Sequence, residues 1–487
     1  MTYGPPPSVY TESVLEADRG RRRRKQLLLG GTALAVVLSR LAVWAWSTLG
    51  GTPASDRRPM RALQAPDEVR RTVETAPVSP EGRAVFRYTK TIRQVGATVD
   101  ASGAWATDRT FAKGYANHIQ GIALIPATKG QGTGRETWKL TFPGPLCAVT
   151  RHVSAAGWTA IAFPSRKSDQ GGAVGRPCDR LALIDLDTGR ELWQTELGSG
   201  DQPATGVNVT LTYGAVVVAW DQGAAAYDMT HGKRLWVHTE PSRCTDSGFA
   251  GGSALLALVR CGEGADSEFR VERVDARTGR TRWTYPVDRG ITDAYLVSSR
   301  PAVLAVAAGD DLVTDQISLD EHGRTRARIK LDPEHQTLAC DQAFSAVVES
   351  CRTIVVGDSQ AFLATDHGID AFDLATGKHT KRFTSPTGGR MYPLKTSDGK
   401  LIAYREGGAF SPYAVVSLDP ATGKETFLLL FGAEAEDLDG MDDPAEDDVF
   451  FEHGRLFYAA TRLYGPTAKG DTGGTTNVAA GVEPAAS

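Results

Sequence analysis

The densest group of potentially reactive side chains runs from Glu434 to Asp448. It holds nine carboxylates (Glu434, Glu436, Asp437, Asp439, Asp442, Asp443, Glu446, Asp447 and Asp448) and no basic residue. Within it, Asp437-Leu-Asp439-Gly-Met-Asp442 offers closely spaced oxygens of the kind Ca²⁺ takes, so Asp437, Asp439 and Asp442 are the candidate metal ligands. The run is not an EF-hand, because its glycine stands fourth in the loop rather than sixth. The plainer reading of the same residues is a solvated acidic loop between structural units. An electrostatic patch for a basic partner lies between the two. Asp310, Asp311 and Asp315 make a smaller acidic group, read as loop surface.

Nothing else in the chain has the spacing of a catalytic or metal-binding motif. The nine histidines form no HxH or HExxH arrangement,. The GxSxG nucleophile elbow and the GxxxxGK[ST] phosphate loop are absent, as are CxxC and CxxCH. The six cysteines, Cys147, Cys178, Cys244, Cys261, Cys340 and Cys351, therefore read as structural. An even number confined to one part of the chain suits disulfides formed in an oxidising compartment. Six cysteines allow 15 connectivities. Their spacing favours the neighbours Cys147–Cys178, Cys244–Cys261 and Cys340–Cys351, each worth about 3 kcal/mol; the alternative is buried free thiols.

The segments that would place such a body are uneven in charge. The net charge of −4 argues against nucleic acid as a partner,. Arg19, Arg21 to Arg24 and Lys25 precede Leu27–Leu49, 23 mostly apolar residues that can cross a bilayer as a helix,. Trp44 and Trp46 stand near its far end, where indole rings favour the headgroups. A basic N-terminal flank predicts a cytoplasmic tail and an exported C-terminal portion. Arg40 is costly in a membrane helix unless it snorkels. A twin-arginine or cleaved signal is the rival reading, but no small-x-small site follows the apolar run. The expected order is a disordered basic tail (1–25), a transmembrane helix (26–49), a stalk (50–84) with a short helix possible over Pro66–Glu74, a folded body (85–462) and a disordered tail (463–487).

The body carries an internal repeat. Its clearest copies are Leu181-Ala-Leu-Ile-Asp185-Leu-Asp-Thr-Gly189-Arg-Glu-Leu-Trp193, Ala225-Ala-Tyr-Asp228-Met-Thr-His-Gly232-Lys-Arg-Leu-Trp236 and Val274-Asp275-Ala-Arg-Thr-Gly279-Arg-Thr-Arg-Trp283. Asp373-Leu-Ala-Thr-Gly377 and Asp419-Pro-Ala-Thr-Gly423 follow the same pattern. Asp320-Glu-His-Gly323 is one residue short, and Gly134-Arg-Glu-Thr-Trp138 lacks the Asp. Successive glycines lie 43 to 55 residues apart, the length of a four-stranded propeller blade. Each copy reads as a strand, a turn in which Asp accepts backbone N–H bonds and Gly takes positive φ, and a second strand. The Trp that follows can wedge between adjacent sheets. Ala327, Lys381 and Phe427 hold its place in other copies. Seven signatures predict about seven blades, with eight the main alternative. Val449–Ala460 reads as two further strands, expected to close the ring by pairing near Trp105–Phe111 and Gly121–Leu124.

These copies resemble the pyrroloquinoline-quinone (PQQ) repeat, Leu-x-Ala-Leu-Asp-x-x-Thr-Gly-Lys-x-x-Trp, over about 370 residues. The resemblance implies an all-β PQQ-like β-propeller of the membrane-anchored bacterial type. It does not imply quinone binding, since many carriers of the repeat bind none. Quinoprotein alcohol dehydrogenases add a vicinal Cys-Cys disulfide and a calcium held by Glu, Asn and Asp. This chain has no adjacent cysteines and no alignable set of that kind. The repeat Asp and Trp recur, so they are structural rather than catalytic. The expectation is a surface-anchored binding or scaffolding module without a cofactor, meeting an unidentified protein or small molecule at a propeller face or channel. A PQQ- and Ca²⁺-dependent oxidoreductase and a sensor domain are the alternatives.

Overall fold

A computed structural model describes residues 64–125, 134–166, 178–198, 204–239, 244–262, 267–309, 313–332, 340, 348–349, 351–407, 411–431, 443–466 and 475–485. The expected tail and membrane helix lie outside them. Among the described residues no helix is long and apolar enough to cross a membrane.

The described residues form eight four-stranded antiparallel sheets arranged as blades. Blade 1 is Ala104–Ala106, Thr110–Tyr115, His118–Ala123 and Glu136–Thr141; blade 2 is Ala148–Val149, Trp158–Phe163, Arg180–Asp185 and Arg190–Glu196. Blade 3 is Asn208–Thr212, Ala215–Trp220, Gly223–Asp228 and Arg234–Thr239; blade 4 is Cys244–Ala250, Leu256–Cys261, Glu268–Val274 and Thr281–Pro286. Blade 5 is Ile291–Ser299, Ala302–Ala308, Val313–Leu319 and Thr325–Lys330. Blade 6 is Ile354–Val356, Gln360–Thr365, Gly368–Asp373 and His379–Phe383; blade 7 is Met391–Ser397, Lys400–Arg405, Tyr413–Leu418 and Glu425–Phe431. First strands of successive blades pack on one another and line the axis. The second and third strands are buried on both faces, as in Ala215–Trp220, and so read as continuous apolar runs,.

The ring has eight blades where seven signatures pointed to about seven. The seven turns all join the third and fourth strands of blades 1 to 7. Blade 8 has no such turn because its strands come from both ends of the chain. Asp448–Glu452, Arg455–Ala459 and Thr475–Pro484 are its first three strands, and Gly82–Thr91 is the fourth. Val449–Ala460 therefore does not pair with the segments around Trp105–Phe111 and Gly121–Leu124, which belong to blade 1. It packs against them instead: Phe111 stacks on Phe457 at 5.1 Å between ring centroids and lies 4.9 Å from Phe86.

The expected disordered tail 463–487 is likewise corrected, since Thr475–Pro484 is a strand with Val478 to Val482 buried. Its small side chains, which look like low complexity in sequence, suit a strand covered closely on both faces. A Cβ on Gly481 would stand 2.5 Å from the Phe86 ring.

Each repeat signature locks one blade to the next. In the turn after Asp185, the side-chain Oδ1 accepts from the Asp187 and Thr188 amides at 2.9 and 3.2 Å. Asp373 does the same for Ala375 and Thr376. The turn ends on a glycine with positive φ, +67° at both Gly189 and Gly232. The Trp of the preceding blade lies against that glycine and donates to a carbonyl of the same turn. Trp138 bonds Leu186 O at 3.0 Å, Trp193 bonds Met229 O at 2.8 Å and Trp236 bonds Ala276 O at 2.9 Å. Lys381 substitutes at blade 7, with its Nζ 3.4 Å from Ala421 O.

Two substitutions test this lock by urea unfolding. Trp193→Ala is expected to cost about 3 kcal/mol, the low end for a half-buried Trp. Gly232→Ala places a Cβ 2.8 Å from the Trp193 ring at φ +67° and is expected to be destabilising as well,. A loss under roughly 0.5 kcal/mol in Trp193→Ala, within the range of surface changes, would show that the indole does not hold the blades together.

Candidate functional site

The turns between first and second strands share one face of the propeller with the Asp-Thr-Gly turns. Residues 64–81, expected to be part of a free stalk, instead run as an extended strap across this face. No helix forms at Pro66–Glu74, because the main chain there is committed to the blades. Gly214 N of blade 3 donates to Asp67 O at 3.0 Å. In blade 2, Val69 bridges Ser154, and Arg70 N donates to Val153 O at 2.8 Å. The Arg70 guanidinium reaches Ala106 O of blade 1. Leu430 N of blade 7 donates to Pro80 O before the chain enters blade 8 at Gly82.

Glu74 is the fastening point of the strap, with 2% of its side chain exposed. One oxygen accepts from Lys395 Nζ at 3.0 Å and His453 N at 3.2 Å, the other from Gly454 N at 2.9 Å. His453 and Gly454 form a tight turn with φ of +52° and +73°. Glu74 takes up both of its outward amides. Lys395 also reaches Glu452 at 2.8 Å. Burial raises the Glu452 carboxyl, but Lys395 and Arg70 hold it below its usual range on balance. The result is two carboxylates and two cations sealed under the strap.

A second carboxylate lies at the axis. Glu349, on the link between blades 5 and 6, accepts from Thr210 Oγ1 at 2.9 Å and Gly251 N at 2.8 Å and pairs with His152 Nε2 at 3.1 Å. It thereby touches blades 2, 3 and 4. Burial pushes its carboxyl up, yet His152, Arg151 and Thr210 together bring it below the ordinary value. The disulfide Cys340–Cys351 ties the link that carries it.

The strap covers blades 3, 2, 1, 8 and 7 and leaves blades 4 to 6 open. There a cleft of about 460 Å³ lies beside the strap. Four guanidiniums line it: Arg71 from the strap, Arg273 from blade 4, and Arg300 and Arg326 from blade 5. Trp283 and Tyr213 supply aromatic walls. Arg300 pairs with Glu321 at 3.4 Å. Asp320 is turned to its own hairpin, where Arg324 Nε donates at 2.8 Å. Burial lowers the Arg273 pKa, with the charges of Arg300 and Arg282 acting in the same sense against Glu321. The cleft forms where the repeat is irregular. The Asp320–Gly323 turn is one residue short, and Trp283 rests on Gly323.

The residues singled out in the sequence are dispersed. All three expected disulfides are present, at sequence separations of 31, 17 and 11. The repeat residues Asp185, Gly189, Trp193, Asp228, Gly232, Trp236, Asp275, Gly279, Trp283, Asp373, Gly377, Asp419 and Gly423 all lie in or beside the interblade turns. Asp437, Asp439 and Asp442 lie outside the described residues, as do Asp310 and Asp311. Asp315 is in a blade 5 strand rather than a loop. Asp447 is buried rather than solvated and accepts from Thr461 N at 2.9 Å. Burial, with Asp448 and Glu446 adding to it, pushes its carboxyl up to about 6. The strap network, Glu349 and the arginine cleft carry no local motif. The short 320–323 turn is the one feature in the sequence that marks the cleft.

An eight-bladed ring built from PQQ-type repeats, with its blades locked through Trp and Asp-Thr-Gly turns, defines the PQQ-like propeller class. Residues 127–378 match the sequence family described as outer membrane protein assembly factor BamB, and the chain belongs to that family. No curated protein matches the chain. Among solved structures it is similar to U3-55K, at 9% identity and a TM-score of 0.37, covering 67% of this chain and 92% of that one. It is also similar to the Cps50 (Swd1) propeller domain of Myceliophteria thermophila, at 13% and 0.37, covering 66% and 96%. A europium-containing methanol dehydrogenase gives 13% and 0.35, covering 77% of each chain. All six cysteines are paired with non-adjacent partners, so the vicinal Cys-Cys disulfide of the quinoprotein alcohol dehydrogenases has no counterpart in this chain. Among the described residues no three His, Cys, Asp or Glu side chains converge as a metal-holding group.

Two buried carboxyls give opposite pH dependence. Glu349 has a depressed folded pKa, so its contribution is present above its unfolded value, about 4.3, and is lost as pH falls. Glu349→Gln is expected to cost about 1–3 kcal/mol at pH 7, with the gap to wild type narrowing toward pH 3.5. Asp447 has a raised folded pKa, so its contribution is present below about 3.9 and lost as pH rises through about 6. Asp447→Asn, which keeps an acceptor for Thr461 N, is expected to stabilise the fold at pH 7.5 but not at pH 3. Urea titrations of the three proteins at those pH values check both signs.

Proposed function

We propose that the chain is a membrane-anchored, extracytoplasmic binding or scaffolding module. Its working surface is the face that bears the strap and the cleft. The observation that carries this reading is the arginine-lined cleft, a concave site with converging polar groups beside an ordered strap,. The basic block before Leu27–Leu49 and the three disulfides support an anchored domain in an oxidising compartment,. The repeat supplies the ring and the strap supplies its cover, so neither needs a catalytic group.

Full-length protein in membranes tests the reading. A photo-crosslinking residue at Tyr213 or Asp358, both on the cleft face, is expected to give discrete adducts. The same residue at Asp366, on the opposite turns, is expected to give none. Equal adducts from both faces, or none from either, would sink the assignment of the surface. Dye reduction after addition of PQQ and Ca²⁺ would replace the whole reading with an oxidoreductase. Replacing residues 1–49 with a cleavable secretory signal peptide is expected to move the protein from the membrane fraction to the soluble exported fraction, and its retention on membranes would remove the anchor.

A further inference from the structure

Resting on that reading of the face, we propose that the cleft over blades 4 to 6 binds an anionic saccharide: a sugar ring bearing a carboxylate or a phosphate. The charge balance of the cleft points to the anion. Arg71, Arg273 and Arg326 form no ion pair among the described residues, whereas Arg300 is held by Glu321 at 3.4 Å. Three guanidiniums without a close ion pair converge on one space, and one of them, Arg273, is half-buried with the charges of Arg300 and Arg282 opposing that of Glu321. Planar, forked donors of this kind match carboxylate and phosphate oxygens in pairs.

The other lining groups point to the rest of the ligand. Glu321 and Asp358 only accept hydrogen bonds when ionised. Beside an all-anionic ligand they would be repelled, but sugar hydroxyls would donate to them. Trp283 and Tyr213 offer ring faces, Tyr213 with 45% of its surface exposed. Such faces cover the C–H side of a sugar ring, while the polar edge meets the charged residues. A volume of about 460 Å³ accommodates one or two sugar rings,. Arg71 comes from the strap, so an occupied cleft also tethers the strap to blades 4 and 5.

The test titrates full-length protein with galacturonate, glucose 1-phosphate, an oligogalacturonide and neutral galactose, read by tryptophan fluorescence and calorimetry. The two anionic monosaccharides are expected to bind with dissociation constants of about a millimolar or tighter and to weaken with added salt. Galactose is expected to bind at least tenfold more weakly. Tighter binding of the oligogalacturonide than of its monomer would assign the site to the end of a polymer, and equal binding to a free sugar acid. Arg71→Glu and Arg326→Glu, both at exposed positions, are each expected to reduce anion binding at least tenfold with unchanged thermal unfolding. Trp283→Phe should retain binding and Trp283→Ala lose it. Equal binding of galactose, insensitivity to both charge reversals, or no binding by any probe would overturn the proposal. Persistence of the Tyr213 adducts in that event would leave the working face standing and remove only its ligand class.

Discussion

The pairing of Gly82–Thr91 with Thr475–Pro484 is the interaction on which the rest of the ring depends. A row of blades that did not close would expose sheet faces and strand edges at both ends and would leave the axis undefined. Here a strand from each end of the chain completes blade 8. The strands of that blade then present Phe86, Phe450 and Phe457 to Phe111 of blade 1. Closure is thus bonded along the sheet and packed across it. The strap gains its order from the same event. Residues 64–81 are held down at Gly214 and Ser154 on one side and must arrive at Gly82 in register on the other. The short path between these fixed points lies across the face.

Once the ring is closed, the angle between blades is set by the indole-to-turn contacts. A Trp ring held by one N–H bond and one glycine surface fixes the separation of two sheets more narrowly than apolar packing alone. Where the Trp is replaced, the spacing is kept by other means. Ala327 lets the Arg328 main chain approach Gly377 directly, and Lys381 reaches over Gly423. Blade 5 combines a shortened turn with a Trp that rests on Gly323. The space that a regular turn would fill there becomes part of the cleft. A binding surface in this ring arises from a departure from the repeat, because a faithful copy fills its own gap.

The same contrast explains what could be read from the residues in order. The strands of blades 2, 3 and 4 were legible because Asp, Gly and Trp act within or next to one hairpin, and hairpin chemistry is local. The eighth blade was not, since its third and fourth strands have no turn between them to carry a signature. Thr475–Pro484 looks like an unstructured tail because Ala and Gly form a strand only when two neighbours already cover it. The strap fails for a related reason. Its affinity for the ring lies in main-chain groups and in Glu74 and Arg70, which look like solvated linker residues until the blades they meet are assembled. The disulfides were legible from spacing, as each closes a short segment within a blade or a link. The cleft was not, because its arginines are drawn from positions 71 to 326 and meet only through the closed ring.

Charge placement distinguishes the sealed parts of the ring from its open face. Under the strap, Glu74 and Glu452 are matched by Lys395 and Arg70. At the axis, Glu349 is matched by His152 of blade 2 and by donors from blades 3 and 4. Buried charges that are paired and hydrogen-bonded in this way hold a structure in register, and they leave nothing over for a ligand. In the cleft the pairing is looser: among the described residues Arg71, Arg273 and Arg326 make no close ion pair, although Asp320, Glu321 and Asp358 line the same space. Its four guanidiniums outnumber the three carboxylates of the lining, and that excess, open to solvent rather than locked between blades, is the charge an outside oxyanion would meet.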